Sequence, residues 1–159
     1  MNTFDKALSA VLDWEGTITD DPRDPGGLTK YGISKRAYPD LDIASLTLEN
    51  VTVIYHRDYW LPMRCDDLPA PVAVFAFDCA VDQGVGAAAM MLQQAAQCPA
   101  DGVLGPQTMA AIKVADPLKL LRHYATKRQC RYAETKGWDI YGAGWTERLI
   151  DVLIRAVAS

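Results

Sequence analysis

Two carboxylates and one hydroxyl, those of Glu15, Asp24 and Thr29, lie in one turn-rich segment near the start of this 159-residue chain. The two carboxylates could together hydrolyse a glycosidic bond. Glycosidases that invert configuration hold two carboxyl groups about 6.5 to 9.5 Å apart, so that one protonates the leaving oxygen while the other activates water. Aspartate, proline and glycine dominate residues 20–27, a composition that favours turns over helix. Such turns permit Asp24 to lie at that distance from Glu15.

An amphipathic helix is predicted directly before this segment. Its apolar residues recur at helical spacing, and Glu15 is the last member of the same stripe. A carboxyl group on the packing face is partly desolvated and lies beside the negative end of the helix dipole, and both effects favour its protonated form. We therefore predict that Glu15 donates a proton near neutral pH. The stripe contains Phe4, Ala7, Leu8, Val11 and Leu12.

The residues from Glu15 to Ile33 resemble the signature of the glycoside hydrolase family 108 muramidases, phage-type endolysins that cut peptidoglycan. The matching elements are Glu15, Asp24-Pro25-Gly26-Gly27, Thr29 and Tyr31-Gly32-Ile33. The order of glutamate, aspartate and threonine is also similar to the triad of phage T4-type lysozymes. The resemblance implies that Glu15 is the general acid and that Asp24 and Thr29 position or activate the attacking water.

Each of these residues also has a structural alternative. Glu15 can be a solvated charge at a helix end, Asp24 can fix an Asx-turn, and Thr29 can be a turn or cap hydroxyl. The chain departs from the family at Thr17, where a second glycine usually follows the Glu-Gly pair. If that position needs positive φ, Thr17 strains the turn.

Four further residues are candidates for contacts with the substrate: Tyr31, Trp60, Asp82 and Gln83. Trp60 ends a predicted helix and offers a flat face for a sugar ring, with core packing as the alternative. Asp82 and Gln83 end a helix that is apolar nearly all round, and the family has a similar polar pair before glycine. A plain helix-ending role is the alternative for that pair.

The C-terminal half carries a second resemblance. Leu92-Gln93, Asp101-Gly102 and Gly105-Pro106-x-Thr108 are similar to a peptidoglycan-binding repeat joined to family 108 catalytic domains, although a simple helix connection also explains them. The element Gly144-Trp145-x-x-Arg148 occurs in the C-terminal region of the family as well. Its glycines predict a loop, after which Thr146 begins the last helix.

Composition and charge exclude several classes of protein. The chain is 50% hydrophobic and 23% charged, as in an ordinary globular domain, and its formal charge of −4 argues against phosphate-driven nucleic-acid binding. No apolar run is long enough to span a membrane. Basic residues nevertheless concentrate in one late predicted helix, which is either a solvated face or attracted to the anionic wall polymer. They are Arg122, Lys127, Arg128, Arg131 and Lys136.

Cysteine and histidine spacing argues against a metal-dependent amidase or a Cys-His peptidase of the wall peptide. The four cysteines form no CxxC pair, and His56 and His123 lack metal-like spacing. We interpret Cys65, Cys79, Cys98 and Cys130 as small buried residues. Charges interrupt the first apolar segment, so no secretory signal is predicted. Action on the wall after synthesis in the cytoplasm would then need another route, such as a phage holin or lysis of neighbouring cells.

These observations predict a mostly α, lysozyme-like helical fold with a small catalytic loop rich in turns or hairpins. We expect a catalytic region over residues 1–85 and a helical, peptidoglycan-binding-like region over residues 86–159, and the two can share one core. The implied reaction is hydrolysis of the β-1,4 bond between N-acetylmuramic acid and N-acetylglucosamine in peptidoglycan glycan strands, without metal or cofactor. The alternative is a catalytically inactive protein of the same fold that binds the wall or assists secretion.

Overall fold

The computed structural model of the chain describes residues 1–19 and 27–159, and it confirms the mostly α, lysozyme-like prediction. No helix in these two ranges combines the length and apolar character that crossing a membrane requires. The α-helices are α1 (Thr3–Glu15), α2 (Leu48–Tyr55), α3 (Ala70–Gln83), α4 (Val85–Ala95), α5 (Pro106–Val114), α6 (Pro117–Glu134) and α7 (Trp138–Val157). A π-helical turn (His56–Trp60) continues α2, and a short 3-10 turn (Cys65–Asp67) precedes α3.

Helix α1 begins and ends where its sequence favours a boundary. The Asn2 side chain accepts a hydrogen bond from the backbone N–H of Asp5, and the Asp5 side chain accepts one from the backbone of Asn2, which completes a capping box. Gly16 follows the last turn with φ of 71°, a left-handed value that glycine adopts without strain. The stripe predicted to pack does so, because Ala7, Leu8 and Val11 are buried. This stripe places Glu15 at the end of a packed helix.

Helix α3 is the central element of the core. It packs against α1, α4, α6 and α7, and residues 72–80 within it are all buried. A helix that is apolar nearly all round has no face suited to water, so it is covered on every side. Because α3 touches helices on both sides of residue 85, the N- and C-terminal regions are packed around one continuous core.

A small antiparallel sheet follows α1, with strands β1 (Ile18–Thr19), β2 (Thr29–Lys30) and β3 (Ile33–Ser34) in that order. Lys30 pairs with Ile33, so β2 and β3 are joined by a two-residue turn. Both turn residues, Tyr31 and Gly32, have positive φ, at 51° and 77°. Positive φ at both central positions is the requirement of a type I′ hairpin. The sheet therefore forms a tight hairpin beside the C-terminal end of α1.

The motif similar to a peptidoglycan-binding repeat forms a self-contained connection between α4 and α5. Gln93, only 1% exposed, donates to the Asp101 carboxylate at 2.8 Å, the Val103 carbonyl at 3.0 Å and the Thr108 hydroxyl at 3.1 Å. Its own carbonyl accepts from the Gly102 N–H at 2.8 Å. These contacts give the motif a structural role, since its polar groups satisfy one another.

Replacing Gln93 with leucine is expected to lower the free energy of unfolding by about 1–3 kcal/mol, because the buried Thr108 hydroxyl and the polar groups of residues 101–103 lose their hydrogen bonds to Gln93. The Gln93 side chain also holds the pKa of Asp101 below its usual range. The stability contributed by the hydrogen bond from Gln93 to Asp101 is present above the unfolded pKa of Asp101. It is lost as the pH falls through the lower pKa of the folded state. Urea unfolding at neutral and acid pH measures both effects. Gln94→Leu, at an exposed position on the same helix, should leave stability nearly unchanged, and an equal loss in the two variants would contradict this role.

Two sequence predictions about the C-terminal half were wrong. Helix α7 runs without a break through the glycines predicted to form a loop; Gly142 packs its backbone against the Trp138 ring, where a Cβ would collide. The cysteines are not all buried, since Cys65 and Cys79 are but Cys130 is exposed. Burial raises the pKa of the Cys79 thiol to about 11, so it stays protonated.

Candidate active site

The Glu15 carboxyl lies at the junction of α1, α7 and the hairpin. Its side chain keeps 23% of its surface exposed, and the Arg148 guanidinium of α7 donates to Oε1 through Nη1 at 2.8 Å. A plain solvated charge at a helix end would lack such a partner. The sequence-predicted acid is therefore anchored on one oxygen while part of the side chain remains accessible.

The same arginine continues into a buried ionic cluster. Arg148 donates through Nε and Nη2 to Oδ1 of Asp78, at 3.1 and 2.8 Å. The other oxygen of Asp78 lies 2.7 Å from Nη2 of Arg128. Asp78 and Arg128 are 1% and 0% exposed. Asp78, which the sequence placed in an otherwise apolar helix, is thus held between two cations that both project onto α3.

Asp82, one turn after Asp78 on α3, completes the cluster. Its Oδ2 accepts a hydrogen bond from the Tyr132 hydroxyl at 2.6 Å and lies 3.2 Å from Nη2 of Arg128. Arg128 in turn donates from Nε to the Tyr132 oxygen at 3.0 Å. Oδ1 of Asp82 lies 3.9 Å from the Arg148 nitrogen that binds Glu15. One guanidinium nitrogen therefore connects Glu15 with Asp82.

Both arginines of the cluster stay charged at any working pH. Burial acts to lower the pKa of Arg128, but Asp78 and the other anionic neighbours outweigh it and hold the pKa well above its ordinary value. Burial also acts to lower the pKa of Arg148, but the neighbouring acids, Asp78 above all, outweigh it and raise that pKa. The cluster therefore contains three carboxyl groups, those of Glu15, Asp78 and Asp82, in contact with two permanently charged guanidinium groups.

The tip of the β2–β3 hairpin packs against the acid. A Cβ built on Gly32 would lie 2.9 Å from both Cγ and Oε2 of Glu15 and would also collide with the Tyr55 hydroxyl. That hydroxyl donates to the Tyr31 carbonyl at 2.9 Å. Burial, followed by the charge of Glu15, raises the pKa of Tyr55, so the hydroxyl remains a donor. Tyr55 therefore fixes the hairpin tip over Glu15, and only glycine fits there.

Replacing Gly32 with alanine is expected to cost about 1–3 kcal/mol of stability from positive φ alone. It is also expected to lower catalytic activity by about 10²-fold, because the added methyl group displaces Glu15 from its position. Activity per folded molecule, with the folded fraction taken from circular dichroism, checks this. The control is Gly102→Ala, where φ is 80° but the nearest atom to a Cβ would be 3.5 Å away. Equal activity loss in both variants would contradict the steric explanation.

The other predicted site residues are placed as follows. The Thr29 hydroxyl donates to the Gly27 carbonyl at 3.1 Å, which is a local turn contact. The Tyr31 backbone N–H donates to the Thr17 carbonyl at 2.8 Å and thereby joins the hairpin to the chain after α1. Asp24 lies outside the described residues. Its proximity to Glu15 stays a prediction.

Trp60 lies in the core rather than beside the hairpin. It is 2% exposed, its indole N–H donates to Asp66 at 2.8 Å, and its ring packs edge-on against Phe4 and Phe77. The alternative of core packing describes this position. We therefore leave Trp60 out of the proposed substrate cleft.

Thr17 does not strain the loop after α1. Its φ is not among the positive values of the described residues, whereas those of Gly16 and Gly32 are. The glycine expected there is thus not needed for backbone conformation. The departure from the family at this position gives no reason to doubt the path of the chain beside Glu15.

Sequence reasoning missed the cations of the site. The sequence places Arg128 among five basic residues that were predicted to form a solvated face or a surface for the anionic wall polymer. Its four companions are exposed, but Arg128 itself is fully buried. The available signal was Asp78, an acid on an apolar helix that required a buried partner. Within residues 1–19 and 27–159, no group of three or more His, Cys, Asp or Glu is arranged to hold a metal ion.

Comparisons with known proteins indicate the family of this chain. The family model for glycosyl hydrolase 108 matches residues 8–84, a span that contains Glu15, Asp78 and Asp82. The solved structure of Brucella abortus SagA superposes with a TM-score of 0.89 at 33% sequence identity, over 98% of this chain and 94% of that one. None of the curated proteins is significantly similar in sequence. Because the likeness to a solved relative extends over nearly the whole of both chains and the family model covers the candidate acid, this chain belongs to the glycosyl hydrolase 108 family.

Proposed function

We propose that this protein is a peptidoglycan hydrolase of the N-acetylmuramidase type, which cleaves the β-1,4 bond between N-acetylmuramic acid and N-acetylglucosamine. The observation that carries the proposal is the Glu15 carboxyl, which is partly exposed at the end of α1 and anchored by Arg148. Membership of a glycosyl hydrolase family supports the reaction type. A glycosidase needs such a carboxyl group, positioned to protonate the leaving oxygen.

In this mechanism Glu15 is the general acid. Arg148 fixes Oε1, so the proton is carried on Oε2, the oxygen that lies on the side of Gly32. A carboxyl group held by a rigid partner delivers its proton with little loss of orientation. Asp24 and Thr29 are proposed to position or activate the attacking water, as the resemblance implies. Tyr31 belongs to the hairpin that closes over the acid.

The contacts of the three carboxyl groups in the cluster favour this assignment. Asp78 is nearly inaccessible and is bound by both arginines, while Asp82 is bound by Tyr132 and Arg128. Among the described residues, Glu15 is bound by Arg148 alone, and it is the most exposed of the three. It is therefore the carboxyl group of the cluster that a substrate reaches most readily.

The products released from purified sacculi test the proposal. Mass analysis is expected to find soluble fragments with new reducing N-acetylmuramic acid ends. New amino termini without new reducing ends would identify an amidase or peptidase instead. Binding to sacculi without release of fragments would identify the inactive, wall-binding alternative, for which the described structure supplies no supporting feature now that Thr17 is unstrained.

A further inference from the structure

One nitrogen of Arg148 lies between two carboxyl groups. Nη1 is 2.8 Å from Oε1 of Glu15 and 3.9 Å from Oδ1 of Asp82. Nε and Nη2 are already engaged, since both donate to Oδ1 of Asp78. At 3.9 Å the contact with Asp82 is an ionic attraction rather than a direct hydrogen bond. Glu15 and Asp82 therefore share the positive charge at Nη1.

Asp82 is held in this position through its second oxygen. The Tyr132 hydroxyl donates to Oδ2 at 2.6 Å, and Nη2 of Arg128 lies 3.2 Å from the same atom. The Asp82 side chain is 16% exposed. It borders a cavity of about 250 Å³ at the C-terminal end of α3, which Gln83 and Arg131 also line. The contacts of Oδ2 thus fix the carboxylate while Oδ1 lies toward the shared nitrogen.

The phenols and the thiol around the two acids keep their protons near neutral pH. Burial is the main cause that raises the pKa of Tyr55, Tyr59 and Tyr132. Burial also raises the pKa of the Cys79 thiol to about 11. These four side chains are therefore neutral, whereas the buried arginines are cationic. Among the described groups in contact with Arg148, the charge that changes with pH belongs to the carboxyl groups.

Glu15 and Asp82 lie close enough to act on each other. Because both oxygens are within 3.9 Å of one nitrogen, they are less than about 7 Å apart. A general acid has to carry its proton, and an arginine beside it favours the ionised form instead. A second anion at the same arginine acts in the opposite direction, since like charges at this distance repel. Asp82 supplies that second anion.

We propose that Asp82 is a positioning residue for the acid: by sharing Nη1 of Arg148 with Glu15, it keeps the Glu15 proton available at neutral pH. Glu15 gives that proton to the glycosidic oxygen as the C–O bond breaks, and the electron pair of the bond stays on the oxygen. The carboxylate left on Glu15 then has Nη1 as its partner at 2.8 Å. This inference rests on the proposed function, because it concerns the protonation of the same acid.

The pH dependence of kcat/KM on glycan strands tests the proposal. Asp82→Asn and Asp82→Ser both remove the charge, and asparagine also keeps the shape of the side chain. We expect both variants to lose activity at lower pH than the wild type does, by about 1 pH unit, the Coulomb effect of one charge at this distance. Activity per folded molecule should fall about tenfold on the alkaline side and be retained on the acid side. Asp82→Glu keeps the charge and should restore the wild-type profile.

A second substrate separates this role from activation of the attacking water. On an aryl glycoside whose leaving group departs without protonation, Asp82→Asn should retain nearly the wild-type rate at each pH. The matched control is Glu134→Gln, which removes one negative charge at an exposed position of α6 and should leave the profile unchanged. An unchanged profile in both neutral Asp82 variants, or equal losses on the two substrates at every pH, would overturn the proposal. Absence of new reducing ends from sacculi treated with the wild type would instead overturn the proposed function itself.

Discussion

Replacing Glu15 with glutamine is expected to lower kcat for glycan cleavage by about 10²–10⁴-fold, the usual contribution of a positioned general acid. Glutamine keeps the shape of the side chain, and its carbonyl can still accept a hydrogen bond from Arg148, but it has no proton of suitable acidity to give. Because the shape is retained, binding to sacculi should persist. Release of reducing ends, followed over time at fixed protein concentration, measures the change.

The control for this variant is Asp13→Asn, which neutralises another acid on the same helix. Asp13 is 57% exposed and pairs with Arg155 at 2.6 Å, away from the cluster around Asp78. Loss of that charge should leave kcat within about twofold, since exposed ion pairs contribute little. If Glu15→Gln retained full activity, or if the two variants lost activity equally, Glu15 would not be the acid.

Replacing Arg128 with methionine is expected to lower the free energy of unfolding by about 3–5 kcal/mol, the range for breaking one partner out of a buried ion pair. Among the described residues, the change would leave the inaccessible Asp78 with Arg148 as its one cation, and Asp82 would lose its ion pair with Arg128. Urea unfolding followed by tryptophan fluorescence measures the loss. Because neighbouring carboxylates raise the pKa of Arg128 when folded, its contribution is complete below the unfolded arginine pKa and is lost only above it. The deficit should therefore be constant across the neutral range.

Arg155→Met is the matched control for Arg128→Met. Arg155 also bridges two acids, Asp13 and Asp151, but its side chain is 39% exposed. An exposed pair of this kind should contribute at most about 1 kcal/mol. Similar losses in the two variants would show that burial of the Asp78 cluster does not govern its contribution to stability.

The sequence predicted the elements whose signal is local. The stripe from Phe4 to Leu12 is periodic, so it indicated α1 and its packed face, and the apolar run of residues 72–81 indicated the central helix. The position of Glu15 at a helix end followed from the same spacing. These features depend only on neighbours a few residues apart, which is why they could be derived without any tertiary information.

The contacts that complete the site depend on residues far apart in the chain. Arg148 lies 133 residues after Glu15, and Arg128 lies on a helix whose other basic residues face water. Charge and spacing alone could not show that one arginine of that helix turns inward toward Asp78. Trp60 is a second example. Its flat ring is typical of a platform for a sugar, but its position in the core depends on Phe4 and Phe77, which are distant in the sequence.

The most direct test of the central claim, that Glu15 protonates a glycosidic oxygen, compares two leaving groups. One substrate is a natural glycan strand, and the other is an N-acetylated glycoside with a dinitrophenolate leaving group, which departs without protonation. A lost general acid slows only the reaction that needs the proton. We predict that Glu15→Gln loses about 10²-fold or more in kcat on the glycan and retains nearly wild-type bond cleavage on the activated glycoside. Equal losses on both substrates would contradict the assignment.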